Sequence, residues 1–249
     1  MWLAEKARKV YATIFWIVVW AAVAELANRS LLIPIPTPLS TVKALARYTC
    51  SDLFWKAAAM SLVRICAGFI AALFLGAICA FVGQRHRTFK ILMAPIVHFI
   101  RSVPGAALTI VLFLWIKRDG IPSAVSFFTV FPMIWINLEN ALEGLDGSLV
   151  EMAKVHGLSR RRITAEIIIP GVRPAFLSSI AGGLGFAWKS GVAAEVICRS
   201  ANSFGNLLWA GKNAIEYDEV FALVIVIVVF SSILQKIAML LVKAGGRND

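Results

Sequence analysis

The sequence predicts an all-α integral membrane protein: six transmembrane helices with both termini in the cytoplasm. Three observations carry that reading. Of the 249 residues, 59% are hydrophobic and only 16% charged, with a mean hydropathy of +0.80, against about 45–50% and about 25% in an ordinary soluble domain. Six apolar runs reach the length of about 20 residues that a helix rising ~1.5 Å per residue needs to cross ~30 Å of hydrocarbon. The 25 Lys and Arg outnumber 14 Asp and Glu, a net charge of +11, but they fall in short clusters between the apolar runs. That pattern is membrane topology rather than a basic face for nucleic acid, so no nucleic-acid partner is expected.

The spans are Tyr11–Leu32, Ser61–Gly83, Ile91–Ile116, Ile121–Leu142, Val172–Cys198 and Val220–Val242. Behind Lys6, Arg8 and Lys9, the stretch Ala12–Ala24 has the look of a signal-peptide core, and Ala22-Val23-Ala24 that of a cleavage site. An uncleaved first span agrees better with the charges. With the N-terminus inside, 14 basic residues fall on the cytoplasmic side and 8 outside, while Arg64, Arg101 and Lys189 lie within spans. No linker divides the chain, so 1–249 reads as one domain.

After the first span, Ile33-Pro34-Ile35-Pro36-Thr37-Pro38 must be extended, because each proline fixes its own φ and keeps the preceding residue out of the helical region. Ser40 is a candidate cap for a short external helix running towards Trp55. Pro95 and Pro104 in the third span and Pro132 in the fourth each remove a backbone donor and kink their helix. Cys50, Cys66, Cys79 and Cys198 show no CxxC spacing and no nearby His, so no metal set is indicated. Nor does any G-x-x-x-x-G-K-[ST], HExxH or G-x-S-x-G motif occur, which argues against a nucleotide site or an intramembrane enzyme in this chain.

The one substantial cytoplasmic segment lies between the fourth and fifth spans, at about 147–170. Ser148 with Glu151 three residues on forms an S-x-x-E capping box, Gly157 supplies a residue without Cβ, Ser159 caps a second short helix, and Pro170 closes it. The product is a helix–turn–helix along the membrane face. Its Met152, Val155, Leu158 and Ile163 offer an apolar knob rimmed by Arg160, Arg161 and Arg162, suited either to a partner surface or to anionic lipid headgroups.

The spacing Glu151, Ala153, Gly157, Ile167, Pro170 resembles the EAA loop of permease subunits from binding-protein-dependent ABC importers, with Met152 and Ile169 as apolar-for-apolar departures. Arg101-Ser102-Val103-Pro104, Phe186-Ala187-Trp188, Ala193-Ala194-Glu195 and Phe204-Gly205 resemble the nitrate, sulfonate, taurine and bicarbonate branch, so the similarity covers about Ile33 to Leu241. The resemblance implies a type I importer permease in a bacterial inner membrane, carrying a small anionic solute. Its coupling residues would be Glu151, Ala153, Gly157, Leu158, Arg160, Arg161 and Pro170. The implied partners are a cytoplasmic ABC ATPase dimer, a second permease copy or a related permease, an extracytoplasmic solute-binding protein and membrane lipid. No catalytic residue, metal or cofactor is expected in this chain, with ATP and Mg held by the ATPase. A channel or secondary transporter is the rival class; it would carry its own coupling site and matched repeats, neither of which the sequence shows.

Ionisable groups at bilayer depth are expensive and therefore mark candidate sites. Arg64, Glu139 and Glu195 lie near span ends, whereas Arg101 and Lys189 are deeper. The candidate pathway residues are Arg101, Pro104, Trp188, Lys189 and Glu195. The two deep cations either pair with Glu139 or Glu195 inside one bundle or face a cavity where a passing anion completes their charge.

Overall fold

The computed structural model describes Trp2–Ser30 and residues 35–245, and these residues are helical without a strand among them. The end of the predicted first span, the start of the proline loop at Ile33-Pro34, and Arg247 of the inside charges lie outside the described residues. Helix α1 (Trp2–Ser30) precedes a short α2 (Pro38–Thr49) and the long α3 (Asp52–Arg85). Next come α4 (Arg87–Ser102), α5 (Gly105–Leu112) and α6 (Ile121–Glu143). Helices α7 (Gly147–Val155) and α8 (Arg160–Ile163) lead through a π-helical turn, Thr164–Ile168, into α9 (Ile169–Cys198), which α10 (Phe204–Asn213) and α11 (Tyr217–Gly245) follow.

Among the described residues five helices are long and apolar enough to span a membrane, and the bent pair α4–α5 makes a sixth when counted as one span. Helices α4 and α5 meet at 104°, a full break where a kinked but continuous span, Ile91–Ile116, was predicted. Pro104 is the cause. Lacking an N–H and excluding Val103 from helical space, it leaves both residues extended, with ψ of 125° at Val103 and 134° at Pro104. Pro132, by contrast, stays inside an unbroken α6.

Caps also differ from expectation. Helix α2 is capped by Thr37, whose Oγ1 accepts from Ser40 N at 3.2 Å, because Pro38 takes the first helical position and moves the start ahead of Ser40. Trp55 belongs to α3, after a break at Cys50 and Ser51.

The packed centre is α3 against α6 and α6 against α9, filled by Phe54, Ile65, Trp135, Trp188 and Phe204, all at most 2% exposed. In lipid the hydrophobic effect does not drive helices together, so close packing and cross-helix hydrogen bonds carry the association. Ser123 and Ser126 of α6 donate to Arg64 O (2.7 Å) and Ile65 O (3.0 Å) of α3. Gly68 permits this approach: a Cβ there would lie far inside van der Waals contact distance of Ser123 O. Helix α1 stands apart, tied mainly at its far end, where Trp20 donates to Pro36 O at 3.0 Å and stacks on Phe221.

Candidate functional site

The segment between α6 and α9 is built from three local devices. Asp146, rather than the predicted Ser148, caps α7: its Oδ1 accepts from Ser148 N at 2.9 Å. Those bonds from Ser148 favour the charged form and hold the Asp146 carboxyl below its usual range. Two cap-competent residues stand two apart here, and the helix starts at the earlier one. At the other end of α7, Leu158 N bonds Ala153 O and Gly157 N bonds Lys154 O, both at 3.0 Å, with Gly157 at φ +76°. This is a Schellman termination, which a residue with a Cβ resists. Ser159 then caps α8, accepting from Arg162 N at 3.4 Å. Pro170 does not close α8 as predicted. The helix runs on through the π turn, and Pro170 follows directly on that turn, where the hydrogen-bond ladder is already shifted.

The outcome is an apolar patch in an otherwise charged segment. Val155 is 84% exposed and Met152 54%, and Leu149, Met152, Leu158 and Ile167 border a groove of about 570 Å³ with His156 and Glu166. Arg160, Arg161, Arg162 and Glu151 are exposed around it. Two residues of the predicted set face inward: Ala153 is 6% and Ile163 4% exposed. Ile163 is therefore no part of the exposed knob, because the turn of α8 buries it.

The intramembrane charges sort themselves by partner. Arg64 donates to Ala201 O at 2.8 Å and pairs with Asp119 at 3.4 Å. Glu139 pairs with Lys90 at 3.0 Å and accepts from Trp135 Nε1 at 3.3 Å, and Lys90 also contacts Glu143. Glu195 is fully buried; its Oε2 accepts from Ser61 Oγ at 2.8 Å and Gly205 N at 3.4 Å, while Ser61 Oγ accepts from Phe204 N at 3.1 Å. Trp188 is equally buried, donating to Ile227 O at 3.0 Å and stacking on Phe230. Trp188 and Glu195, predicted in the pathway, are enclosed between helices and join α9 to α11 and to α3 and α10. Both glutamates are engaged elsewhere, so neither is the ion-pair partner of Lys189, which is exposed.

Arg101 lies at a cleft. The α4–α5 bend opens a cavity of about 480 Å³ whose lining includes Arg101, Val103 and Gly105 from the bend, Phe128, Thr129, Met133 and Asn137 from α6, and Phe186 and Ser190 from α9. Pro104 makes the bend without lining the cavity. Among the described residues Arg101 has no acidic partner. Thr129, Asn137 and Ser190 were missed by sequence reasoning; the only available signal was Asn137, a neutral amide inside an apolar run.

Comparison with known proteins gives this arrangement a class. The profile of the family described as binding-protein-dependent transport system inner membrane component matches residues 72–247, and the chain belongs to that family. It is a permease component of an ABC transport system, spanning the inner membrane. Relatives named as aliphatic sulfonates transport permease proteins SsuC occur in Escherichia coli, 30% identical over 79% of this chain and 74% of theirs, and in Bacillus subtilis, 25% identical over 90% and 81%. The taurine transport system permease protein TauC of Escherichia coli is 25% identical over 73% of this chain and 66% of its own. Among solved structures, an amino acid ABC transporter shares the fold with a TM-score of 0.67 at 15% identity, covering 84% of this chain and 99% of that one. A methionine ABC transporter gives 0.54 at 17% identity, covering 84% and 99%.

Proposed function

We propose that this chain lines part of a translocation pathway for a small anionic solute of the sulfonate or taurine type, and couples it to a separate cytoplasmic ABC ATPase through residues 147–170. The observation that carries the coupling is the exposed patch around Met152 and Val155, held by the Gly157 turn and edged by Arg160, Arg161 and Arg162. Apolar surface of this kind next to a charged rim is what a partner groove covers. In this reading Glu151, Leu158 and Pro170 shape the docked loop, and Ala153 supports it from below. ATP and Mg are held by the ATPase, both termini lie in the cytoplasm, and an extracytoplasmic solute-binding protein delivers the solute. The whole chain acts as one domain. Because six helices enclose little, a second copy completes the pathway, with two-fold symmetry the simplest arrangement.

The anionic solute is supported by Arg101, a cation at a cleft without an acidic partner, and by the names of the relatives. The test is reconstitution of the complete transporter in vesicles with labelled taurine and alkanesulfonates. Gly157→Val and Glu151→Lys should leave the subunit inserted while ATP hydrolysis no longer drives uptake. Normal uptake by both variants would overturn the coupling role, and import of no anion by the unaltered complex would overturn the solute class.

A further inference from the structure

Where α3 turns into α4 the chain builds another cavity, of about 460 Å³, lined by Gly83, Gln84, Arg87, Lys90, Ile91 and Glu143. Its three walls are the end of α3, the start of α4 and the end of α6, all from this one chain. The spans Asp52–Arg85 and Ile121–Glu143 both end here, so the cavity lies where the bundle meets lipid headgroups, on the side that carries residues 147–170. Its charges are mixed and only partly spent. Lys90 gives one ammonium proton to Glu139 at 3.0 Å and another to Glu143, which leaves it a third. Glu143 meets Lys90 through Oε1, and its side chain is 55% exposed, so Oε2 is left to accept. Arg87 and Gln84 are exposed, and among the described residues neither has a hydrogen-bond or ion-pair partner. The cavity therefore offers donors suited to a phosphate beside a carboxylate oxygen that would repel one. A site for a simple anion has no use for that oxygen.

We infer that the α3–α4 elbow binds a phospholipid whose headgroup carries a primary ammonium beside its phosphate, with the phosphate on Arg87 and Gln84 and the ammonium on Glu143. Each group then meets its complement. A primary ammonium donates N–H bonds to a carboxylate, whereas a choline headgroup has the same charge without an N–H and a glycerol headgroup has no cation at all. The occupant is a lipid rather than free phosphoethanolamine because apolar surface continues out of the cavity. Ile91, which borders it, and Leu92, Ile96 and Phe99 are all exposed along one side of α4. A headgroup alone, in an open and wet cavity, gains little from charged contacts that water screens. Acyl chains laid along α4 hold it in place.

The experiment gives the full chain, purified and delipidated in detergent, an equimolar mixture of phosphatidylethanolamine, phosphatidylglycerol and phosphatidylcholine with identical acyl chains, and counts the retained lipids by native mass spectrometry. It needs neither an ATPase nor a transported solute, so its result is independent of the coupling and anion readings. Phosphatidylethanolamine should be retained about tenfold over phosphatidylcholine, the order expected from one hydrogen bond between charged groups. Arg87→Gln should lower phosphatidylethanolamine retention by a similar factor. Glu143→Gln removes the carboxylate while Glu139 still holds Lys90, and phosphatidylglycerol should then overtake phosphatidylethanolamine. Excess soluble O-phosphoethanolamine should not displace the lipid. Equal retention of phosphatidylethanolamine and phosphatidylcholine by the unaltered chain would overturn the inference, as would an unchanged preference in Glu143→Gln. A preference for phosphatidylglycerol from the outset would make the elbow an ordinary basic patch and overturn it too. Displacement by soluble O-phosphoethanolamine would assign the cavity to a free solute instead of a lipid.

Discussion

Gly157 is the point at which a single backbone angle controls the proposed coupling surface. At φ +76° it lies in left-handed space, yet a Cβ built there meets nothing within 4 Å. Substitution therefore adds backbone strain without a clash, which makes the cost calculable. A non-glycine residue pays about 1–2 kcal/mol in this region, Asn less because its side chain bonds locally, and a β-branched residue more. At 25 °C that corresponds to roughly a 5–30-fold shift away from the native turn. The turn is exposed and held by the two bonds from Gly157 N and Leu158 N, so little packing opposes the shift. The expected order of coupling is Gly ≈ Asn > Ala > Val, with Val lowest by at least about tenfold. The assay is ATPase binding and solute-stimulated hydrolysis per assembled complex for Gly157→Asn, Gly157→Ala and Gly157→Val. Equal coupling by Asn and Val would show that the left-handed turn is not what the partner requires.

Other consequences can be measured separately. Ser61→Ala removes a donor from buried Glu195 and an acceptor from Phe204 N, and should lower stability by about 1–3 kcal/mol, read as a reduced midpoint in thermal unfolding of the detergent-solubilised protein; an unchanged midpoint would contradict the role given to this bond. Single cysteines at Arg161 and Asn202, in a background with the native cysteines replaced by serine, should react with impermeant maleimide from the cytoplasmic and the outer side respectively, and reversed labelling would overturn the six-span orientation. Because the folded-state carboxyl of Asp146 is held below its usual value, its contribution is present above the ordinary carboxylate range and is lost as pH falls through the lowered value. The protection factor at the Ser148 amide, its exchange rate relative to the intrinsic rate at each pH, should fall on acidification, and Asp146→Asn should abolish that change.

The periodicities that reach over a few residues were legible before any coordinates. Apolar runs announced each crossing because burial in lipid is a local demand on composition, and Gly157 announced a turn because only glycine enters left-handed space freely. Cap choice was less secure: Thr37 against Ser40 and Asp146 against Ser148 are neighbouring donors' acceptors, and the decision depends on where the first helical turn closes. Pro104 signalled a kink, but the same signal at Pro132 left α6 whole. What separates them is tertiary. Partners far apart in sequence were beyond reach altogether: Glu195 finds Ser61 134 positions away, and Arg64 finds Ala201 137 away. Depth separated Arg101 and Lys189 from Glu195 near its span end, but depth does not say which way a side chain faces. Only the packing of α3, α6 and α9 decided which were enclosed and which were left facing a cleft, because the direction a side chain takes from a helix acquires meaning only when another helix occupies that side.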